Sequence, residues 1–484
     1  MKTYKIITFG CQMNEHDSEV ISGMLTQRGY TELGSAELPE PDIIIINTCS
    51  VRENADKRFF GTLGQLKKIK AKKPDLTVCV CGCMMQQEHI TTKIRQSYPW
   101  VDVIFGTHNI HEFPDMLEEL YENRTKAAAA EDAKASQSAA GSVQPVAGAN
   151  PADYARAKHE IRSSKDTRVD RIYDDKKEII EGLPAKRLYT HKSFVNIMYG
   201  CNNFCSYCIV PYTRGREKSR CPEDILTEVE GLVSDGVREV TLLGQNVNSY
   251  SGTGRKGEAW DFTDLIYKLN KVDGLERIRF MTSHPKDLSD KLIDAFAECD
   301  KLCKYIHLPV QAGSNEVLRR MNRKYTSEQY FELVRKLRRA VPGIAISTDI
   351  IVGFPGETEE DFLHTLRLAE MVRFDSAFTF LYSPRPGTPA AQYEDQVPEP
   401  AKHKRFNRLV ETMNKISAQK NAAYVGRTCK VLVDGPDRKD SGNLSGRTDE
   451  FKLVDFEGPK ELTGQIVDVE ITDSNTFSLR GRLL

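Results

Sequence analysis

The sequence has no apolar run of the roughly 18 residues that a membrane span requires. Its opening, MKTYKIITFGC, passes from one lysine into an alternating strand with no long apolar stretch. The expectation is a soluble, cytoplasmic protein with no membrane partner. A charge excess is also missing: 68 Lys and Arg face 69 Asp and Glu, a net charge of -1, so nucleic-acid contact has to come from local patches. What the chain does have is twelve cysteines. Without an export signal these are poor disulfide candidates, because a reducing compartment keeps thiols free, and metal or redox chemistry becomes the better reading.

With 484 residues, 39% of them hydrophobic, the chain suits two to four domains. YKIITF, DIIIIN, LTVCVCG and DVIFGT alternate with helical stretches, the rhythm of a parallel sheet covered by helices. This predicts an N-terminal Rossmann-like α/β domain over residues 1–125. Its three strongest strands each end at a cysteine (Cys11, Cys49 and Cys83), and strand carboxyl ends are where α/β sheets gather ligands. Residues 126–185 read as an insert and linker: 127–151 is rich in Ala, Ser and Gly and cannot bury a core, while DRIYDDKKEIIEGL is open between a hairpin-like crossing and a short helix. Repeated βα units over 186–417 predict a complete or partial (β/α) barrel. Short strands punctuated by Gly and Asp over 418–484 predict a small β-barrel.

GCNNFCSYCIVPYTRG places Cys201, Cys205 and Cys208 within eight residues. Structural zinc usually takes four ligands in Cys-x2-Cys pairs, whereas here the spacing is Cys-x3-Cys-x2-Cys and Cys221, thirteen residues on at a helix start, is a poor fourth. Three thiolates on a loop after a barrel strand suit an iron–sulfur cubane with one iron left open to a small molecule. Cys79 and Cys81 share a strand face with Cys83 and read as core; so do Cys299, Cys303 and Cys429.

CNNFCSYC resembles the signature of radical S-adenosylmethionine enzymes. TFGCQMN, NTCSVRE, CGCMMQ, LLGQNVNSY, HLPVQAGS, MNRKYT, DIIVGFPGE and SPRPGTPA are similar, in order and spacing, to the methylthiotransferase family. The likeness covers nearly the whole chain outside the insert, and residues 8–14 resemble the branch that acts on isopentenyladenosine in tRNA. The resemblance implies a radical-SAM-type partial barrel, a C-terminal TRAM-like RNA-binding module and two [4Fe-4S] clusters, one on Cys11, Cys49 and Cys83 and one on Cys201, Cys205 and Cys208. It further implies S-adenosylmethionine as radical source and methyl donor, an enzyme that methylthiolates C2 of N6-isopentenyladenosine beside the anticodon, and partners comprising that tRNA, an electron donor such as flavodoxin or ferredoxin, and a sulfur source.

No side-chain acid or base is assigned, since hydrogen abstraction from an adenine C2 is cofactor chemistry. Tyr207 is expected against the cofactor's adenine. Gly244, Gln245, Asn246, His284, Gln311, Ser314 and Asp349, at or near strand ends, are cofactor-binding candidates, with Gly353 and Pro355 beside the cavity, although each could be a cap or turn. Phosphate or RNA contacts are expected at Arg214, Arg323, Arg447 and Lys452, within basic runs that include Arg216, Lys218, Arg220, Arg319, Arg320 and Lys324, and from exposed Phe451 and Phe456. Net charge offers little support for this, because residues 421–484 hold nine Lys and Arg against eleven Asp and Glu. The same chemistry on threonylcarbamoyladenosine or on a ribosomal-protein aspartate stays open, as does a non-catalytic iron–sulfur or zinc RNA-binding protein.

Overall fold

The computed structural model describes residues 2–34, 41–50, 53–139, 167–173, 179–437 and 442–484. These form two compact units, one of Met1–Leu188 with Tyr212–Gly215, the other of Tyr189–Pro211 with Arg216–Leu484.

In the first unit, strands β1 (Thr3–Thr8), β2 (Thr31–Glu32), β3 (Ile43–Thr48), β4 (Thr77–Gly82), β5 (Val103–Phe105) and β6 (Val169–Arg171) make one parallel sheet ordered β2-β1-β3-β4-β5-β6. Helices α1 (Gln12–Gln27), α2 (Glu53–Lys72), α3 (Glu88–Ser97) and α4 (Phe113–Ala139) accompany it. Strand alternation sends Ile43 and Ile45 into one core with Ile21, Leu25, Phe113 and Leu117, and Ile44 and Ile46 into another with Phe59, Leu63 and Ile94. Burial on both faces is why DIIIIN reads as an unbroken apolar run. Cys79 and Cys81 sit in the first of these cores, fully buried, with burial pushing both thiols well up.

The reading of 127–151 as a structureless linker is corrected over 127–139, which continue α4. Phe113, Met116, Leu117 and Leu120 anchor the first turns, and alanine propagates a nucleated helix without needing a core. A parallel edge strand on β5, Val169–Arg171, runs into the start of the segment 170–183 that stays open between hairpin and helix, and Arg168 donates to the carbonyls of Val101 (3.0 Å) and Tyr98 (3.3 Å). Residues 140–166 and 174–178 of the same insert lie outside the described residues.

In the second unit, β7 (Lys192–Asn196), β8 (Glu239–Leu243) and β9 (Arg277–Phe280) pair in parallel, as do β10 (Tyr305–His307), β11 (Ala345–Val352) and β12 (Ser376–Leu381). An isolated parallel bridge between Ile278 and Leu302 joins the two halves into a six-stranded partial barrel. Its helices are α5 (Pro222–Ser234), α6 (Phe262–Leu269), α7 (Asp290–Glu298), α8 (Asn315–Arg320), α9 (Ser327–Ala340), α10 (Glu359–Val372) and α11 (Glu399–Ala422), and one continuous apolar core lies between strands and helices. Cys299 is the C-cap of α7 and Cys303 follows it in the chain, and both are buried. Strands β13 (Thr428–Pro436), β14 (Asn443–Thr448), β15 (Leu453–Glu457), β16 (Ile466–Ser474) and β17 (Leu479–Leu483) close into a barrel ordered β13-β14-β15-β17-β16. Cys429, on β13, packs half-buried against the core of this barrel.

The β14–β15 turn packs at the amino ends of the larger barrel's strands. Arg279 donates to the carbonyls of Thr448 (2.7 Å) and Asp449 (2.9 Å) and pairs with buried Glu239 (2.9 Å), while Arg277 donates to the carbonyls of Arg447 and Lys430 (both 2.9 Å). Phe451 stacks on Tyr305 with centroids 4.8 Å apart. Arg279→Met removes the short partner of Glu239, leaving the longer Arg277 contact at 3.9 Å. We expect a loss of about 3 kcal/mol, read as a lower urea midpoint with earlier proteolysis of the C-terminal barrel.

Candidate cluster sites and cofactor cavity

Cys11, Cys49 and Cys83 directly follow or lie within three residues of the ends of β1, β3 and β4, which are neighbours in the sheet. Parallel pairing therefore delivers all three to one edge. Gly10 makes room for this, since a Cβ there would stand 2.6 Å from the Cys49 Cβ. Gly82, at φ +95°, turns the chain so that Cys83 opens a 3-10 turn, and a Cβ would meet the Thr48 carbonyl at 2.3 Å.

Two buried amides tie the strand ends together. Asn14 donates to Asn47 Oδ1 and to the Thr48 carbonyl (both 3.0 Å); Asn47 donates to the Asn14 carbonyl (2.9 Å) and Ser18 Oγ (3.0 Å). Thr48 Oγ1 donates to the Cys81 carbonyl (2.9 Å), and Cys11 Sγ donates to Asn14 Oδ1 (3.3 Å). The Cys11 thiol is lowered to about 6, first by its hydrogen bond with Cys49 and, against burial, by the Arg214 charge. Cys83 is raised by burial, which outweighs Arg214. Arg214 belongs to this unit and is buried, its Nε donating to Cys83 Sγ (3.0 Å) and its Nη2 to Asp17 (2.8 Å).

In the second unit, Cys201, Cys205 and Cys208 lie on the loop beyond β7. Phe204 there has φ +46°, and Cys208 N donates to the Cys205 carbonyl (2.9 Å). The loop is pinned from behind: Ser206 N donates to the Met321 carbonyl (3.0 Å), Ser206 Oγ to the Arg320 carbonyl (2.8 Å), and Asn322 Nδ2 to the Phe204 carbonyl (2.9 Å). Burial pushes Cys201 up to about 11 and Cys208 up to about 12. Among the described residues no three His, Cys, Asp or Glu side chains gather on a point fit for one ion. Each trio supplies three soft thiol donors, the ligand class that holds iron–sulfur clusters. Cys221 caps α5 and donates to Glu223 (2.9 Å), apart from the trio's loop in sequence.

Around that loop, buried polar atoms stand without partners at barrel strand ends: Asn196 Oδ1, Asn246 Oδ1 and Gln311 Oε1. Orphaned acceptors of this kind suit a polar ligand bearing an ammonium or hydroxyls. Gly244 packs against Met198, Gln245 accepts from Gly200 N, and Gln311 takes φ +70° with its N–H on the Asp349 carbonyl (2.9 Å). His284, buried, accepts from Lys286 N (3.2 Å), and burial with Arg323 and Lys286 nearby holds it down to about 2, so it is neutral. Half-buried Tyr207 meets Phe354 edge-on at 6.5 Å. Pro355 is buried, and Gly353, at φ +76°, packs against Lys402.

Comparison with known proteins follows this division. Residues 195–369 match the Radical SAM superfamily, 3–106 the uncharacterized protein family UPF0004, and 422–484 the TRAM domain. The tRNA-2-methylthio-N(6)-dimethylallyladenosine synthase of Alkaliphilus oremlandii (strain OhILAs) is 50% identical over 483 residues, 100% of this chain and 93% of that one. The protein of the same name from Clostridium botulinum (strain Loch Maree / Type A3) is 51% identical over 476 residues, 98% of this chain and 96% of that one. This chain belongs to that synthase family. Among solved structures, the radical S-adenosylmethionine methyltransferase TsrM from Kitasatospora setae, with cobalamin and a [4Fe-4S] cluster bound, shares the fold at TM-score 0.50 and 14% identity, covering 81% of this chain and 77% of that one.

Several expectations for this family member need correction. Ser314 is a helix cap, accepting from Val317 N (3.4 Å) and donating to Asp361, so its hydroxyl is already engaged. Arg214 and Arg323 are buried inside their units; Arg323 donates to the Pro309 carbonyl and Tyr325 OH (both 2.8 Å) and reaches Cys205 Sγ at 3.5 Å. Lys452 is buried on Asp375 (3.1 Å), and Arg447 folds back over the Phe451 ring and onto its carbonyl (3.1 Å). Phe456 lies in the barrel core. None of these presents a free cation or aromatic face to RNA. Arg220 is likewise buried, paired with Glu228 (2.7 Å). Sequence reasoning missed Asn14, Asn47 and Asp17; Asn14, three residues after Cys11, was in plain view, but its partner on another strand was not.

In cluster-free protein, alkylation of Cys11 should reach half its maximal rate near pH 6, whereas Cys201 and Cys208 should respond only above about pH 10, a difference that mass spectrometry of labelled peptides will read. Gly82→Ala should lower iron uptake by the first trio while leaving the second loaded.

Proposed function

We propose that the chain methylthiolates C2 of N6-isopentenyladenosine adjacent to the anticodon of tRNA, giving 2-methylthio-N6-isopentenyladenosine. Cys11, Cys49 and Cys83 hold one [4Fe-4S] cluster in this reading; Cys201, Cys205 and Cys208 hold the other, with S-adenosylmethionine beside it. The observation that carries it is the presence of two separate thiol trios at strand ends, with the orphaned acceptors of Asn196, Asn246 and Gln311 at the barrel strand ends in the unit that holds the second. When bound, clusters and cofactor supply the one-electron chemistry that opens the C2–H bond and the sulfur and methyl that replace the hydrogen.

The protein's own side chains position and exclude. Asn246 and Gln311 accept from the cofactor, Tyr207 packs near its base, and neutral His284 brings no competing charge. The barrel's inner face continues the site. Tyr305, His307, Ser347, Asp349, Phe378 and Phe380 share it by register, His307 Nδ1 bonds Ser347 Oγ (2.8 Å), and His307 Nε2 lies 3.5 Å from Asp349. Phe378 and Phe380 are 50% and 39% exposed, and their rings suit an adenine carrying an apolar prenyl group. On the small barrel the exposed aromatic is Phe477, 78% exposed, which replaces Phe456 as the candidate for stacking on the tRNA.

Among the described residues no helix is long and apolar enough to cross a membrane, and we place the enzyme in the cytoplasm with flavodoxin or ferredoxin as electron donor and a separate sulfur source. Anaerobic reconstitution with iron and sulfide, then reductant, S-adenosylmethionine and prenylated tRNA, should yield the 2-methylthio nucleoside by mass spectrometry. Cys201→Ala should abolish cofactor cleavage. Cys49→Ala should spare cleavage and lose methylthiolation; equal loss of both would refute the division of labour. Cleavage without the product would transfer the chemistry to another substrate.

A further inference from the structure

We infer that Arg214 is a positioning residue for the cluster on Cys11, Cys49 and Cys83: it orients the Cys83 sulfur and sets a fixed positive charge against it. This rests on the reading of those cysteines as cluster ligands.

Arg214 belongs to the first unit although the residues on either side of Tyr212–Gly215 belong to the second. The chain therefore commits a short excursion to bringing this segment to the cysteines. Thr107 Oγ1 donates to the Thr213 carbonyl (3.2 Å), holding the excursion in place. A buried guanidinium is costly unless both its charge and its donors are satisfied. Here they are satisfied in two directions, by Asp17 on α1 at 2.8 Å and by Cys83 Sγ at 3.0 Å. Asp17 alone would have sufficed for an ion pair. Aiming Nε at the sulfur as well fixes the direction of that sulfur, because the guanidinium is planar and its donors diverge at set angles. A lysine could keep the charge and one contact; it has no second rigid donor.

Three thiolates make the site electron-rich, so a fixed cation beside one of them stabilises the cluster's reduced form and raises its potential. A donor on the Cys83 sulfur acts in the same direction. Arg214 thus acts on the cluster through its ligand, and its burial separates it from any phosphate contact.

The test uses the full chain with Cys201, Cys205 and Cys208 changed to Ala, so that only this cluster is seen. Iron and sulfide per chain are measured after reconstitution, together with the midpoint potential by titration followed by electron paramagnetic resonance. Arg214→Gln should shift the potential to more negative values, with Arg214→Lys between it and the parent; the Lys variant keeps the test available should Gln not fold. Asp17→Asn serves as the structural control and should lower thermal stability with a smaller change in potential. An unchanged potential in Arg214→Gln at equal iron content would overturn the inference. A parent background that takes up no cluster would instead overturn the ligand assignment, and Arg214's role with it.

Discussion

Parallel pairing is the constraint on which both sites depend. When adjacent strands run the same way, whatever follows each of them emerges at one edge, so residues far apart in sequence become neighbours without any long-range design of loops. β1, β3 and β4 are adjacent, and Cys11, Cys49 and Cys83 meet at their shared edge. The same rule puts Asn196, Asn246 and Gln311 at strand ends in the partial barrel, near the loop that carries Cys201, Cys205 and Cys208. In the first unit's sheet, side-chain amides tie the strand ends to α1: Asn14 donates to the Thr48 carbonyl and Asn47 donates back to the Asn14 carbonyl.

A second constraint is the cost of burying charge. The near-zero net charge conceals many internal cations, each with a named partner: Arg279 on Glu239, Lys452 on Asp375, Arg214 on Asp17 and Cys83. Removing water strengthens each of these pairs and makes losing either member expensive. The consequence for function is one of separation. Arg214 and Arg323 are turned inward onto the Cys83 and Cys205 sulfurs, whereas Phe477 stands exposed on the small barrel.

The pieces also differ in how firmly they are joined. Arg277, Arg279 and Phe451 lock the β14–β15 turn of the small barrel to the amino ends of the larger one, opposite the strand ends where Asn246 and Gln311 lie. The locked end and the end with the orphaned acceptors are thereby different ends of one barrel, so changes at one end need not disturb the other.

The cysteine spacings, the βα rhythm and the glycine-punctuated strands were readable directly, because each reflects local geometry: a loop's bite, a strand's period, a turn's φ. Thus the strands, the two trios and the closed five-stranded barrel were legible in outline. The helix through residue 139 was not, because low apolar content does not stop a helix already anchored by Phe113 and Leu117 from propagating through alanine. Nor were the roles of Arg214, Arg323 and Lys452, since a basic residue in a charged run looks solvated until its partners are known. The sequence by itself determined which residue types were available and where the chain would turn. Only the tertiary structure decided which cations were buried and which strand ends were neighbours, because those depend on contacts between residues tens to hundreds of positions apart.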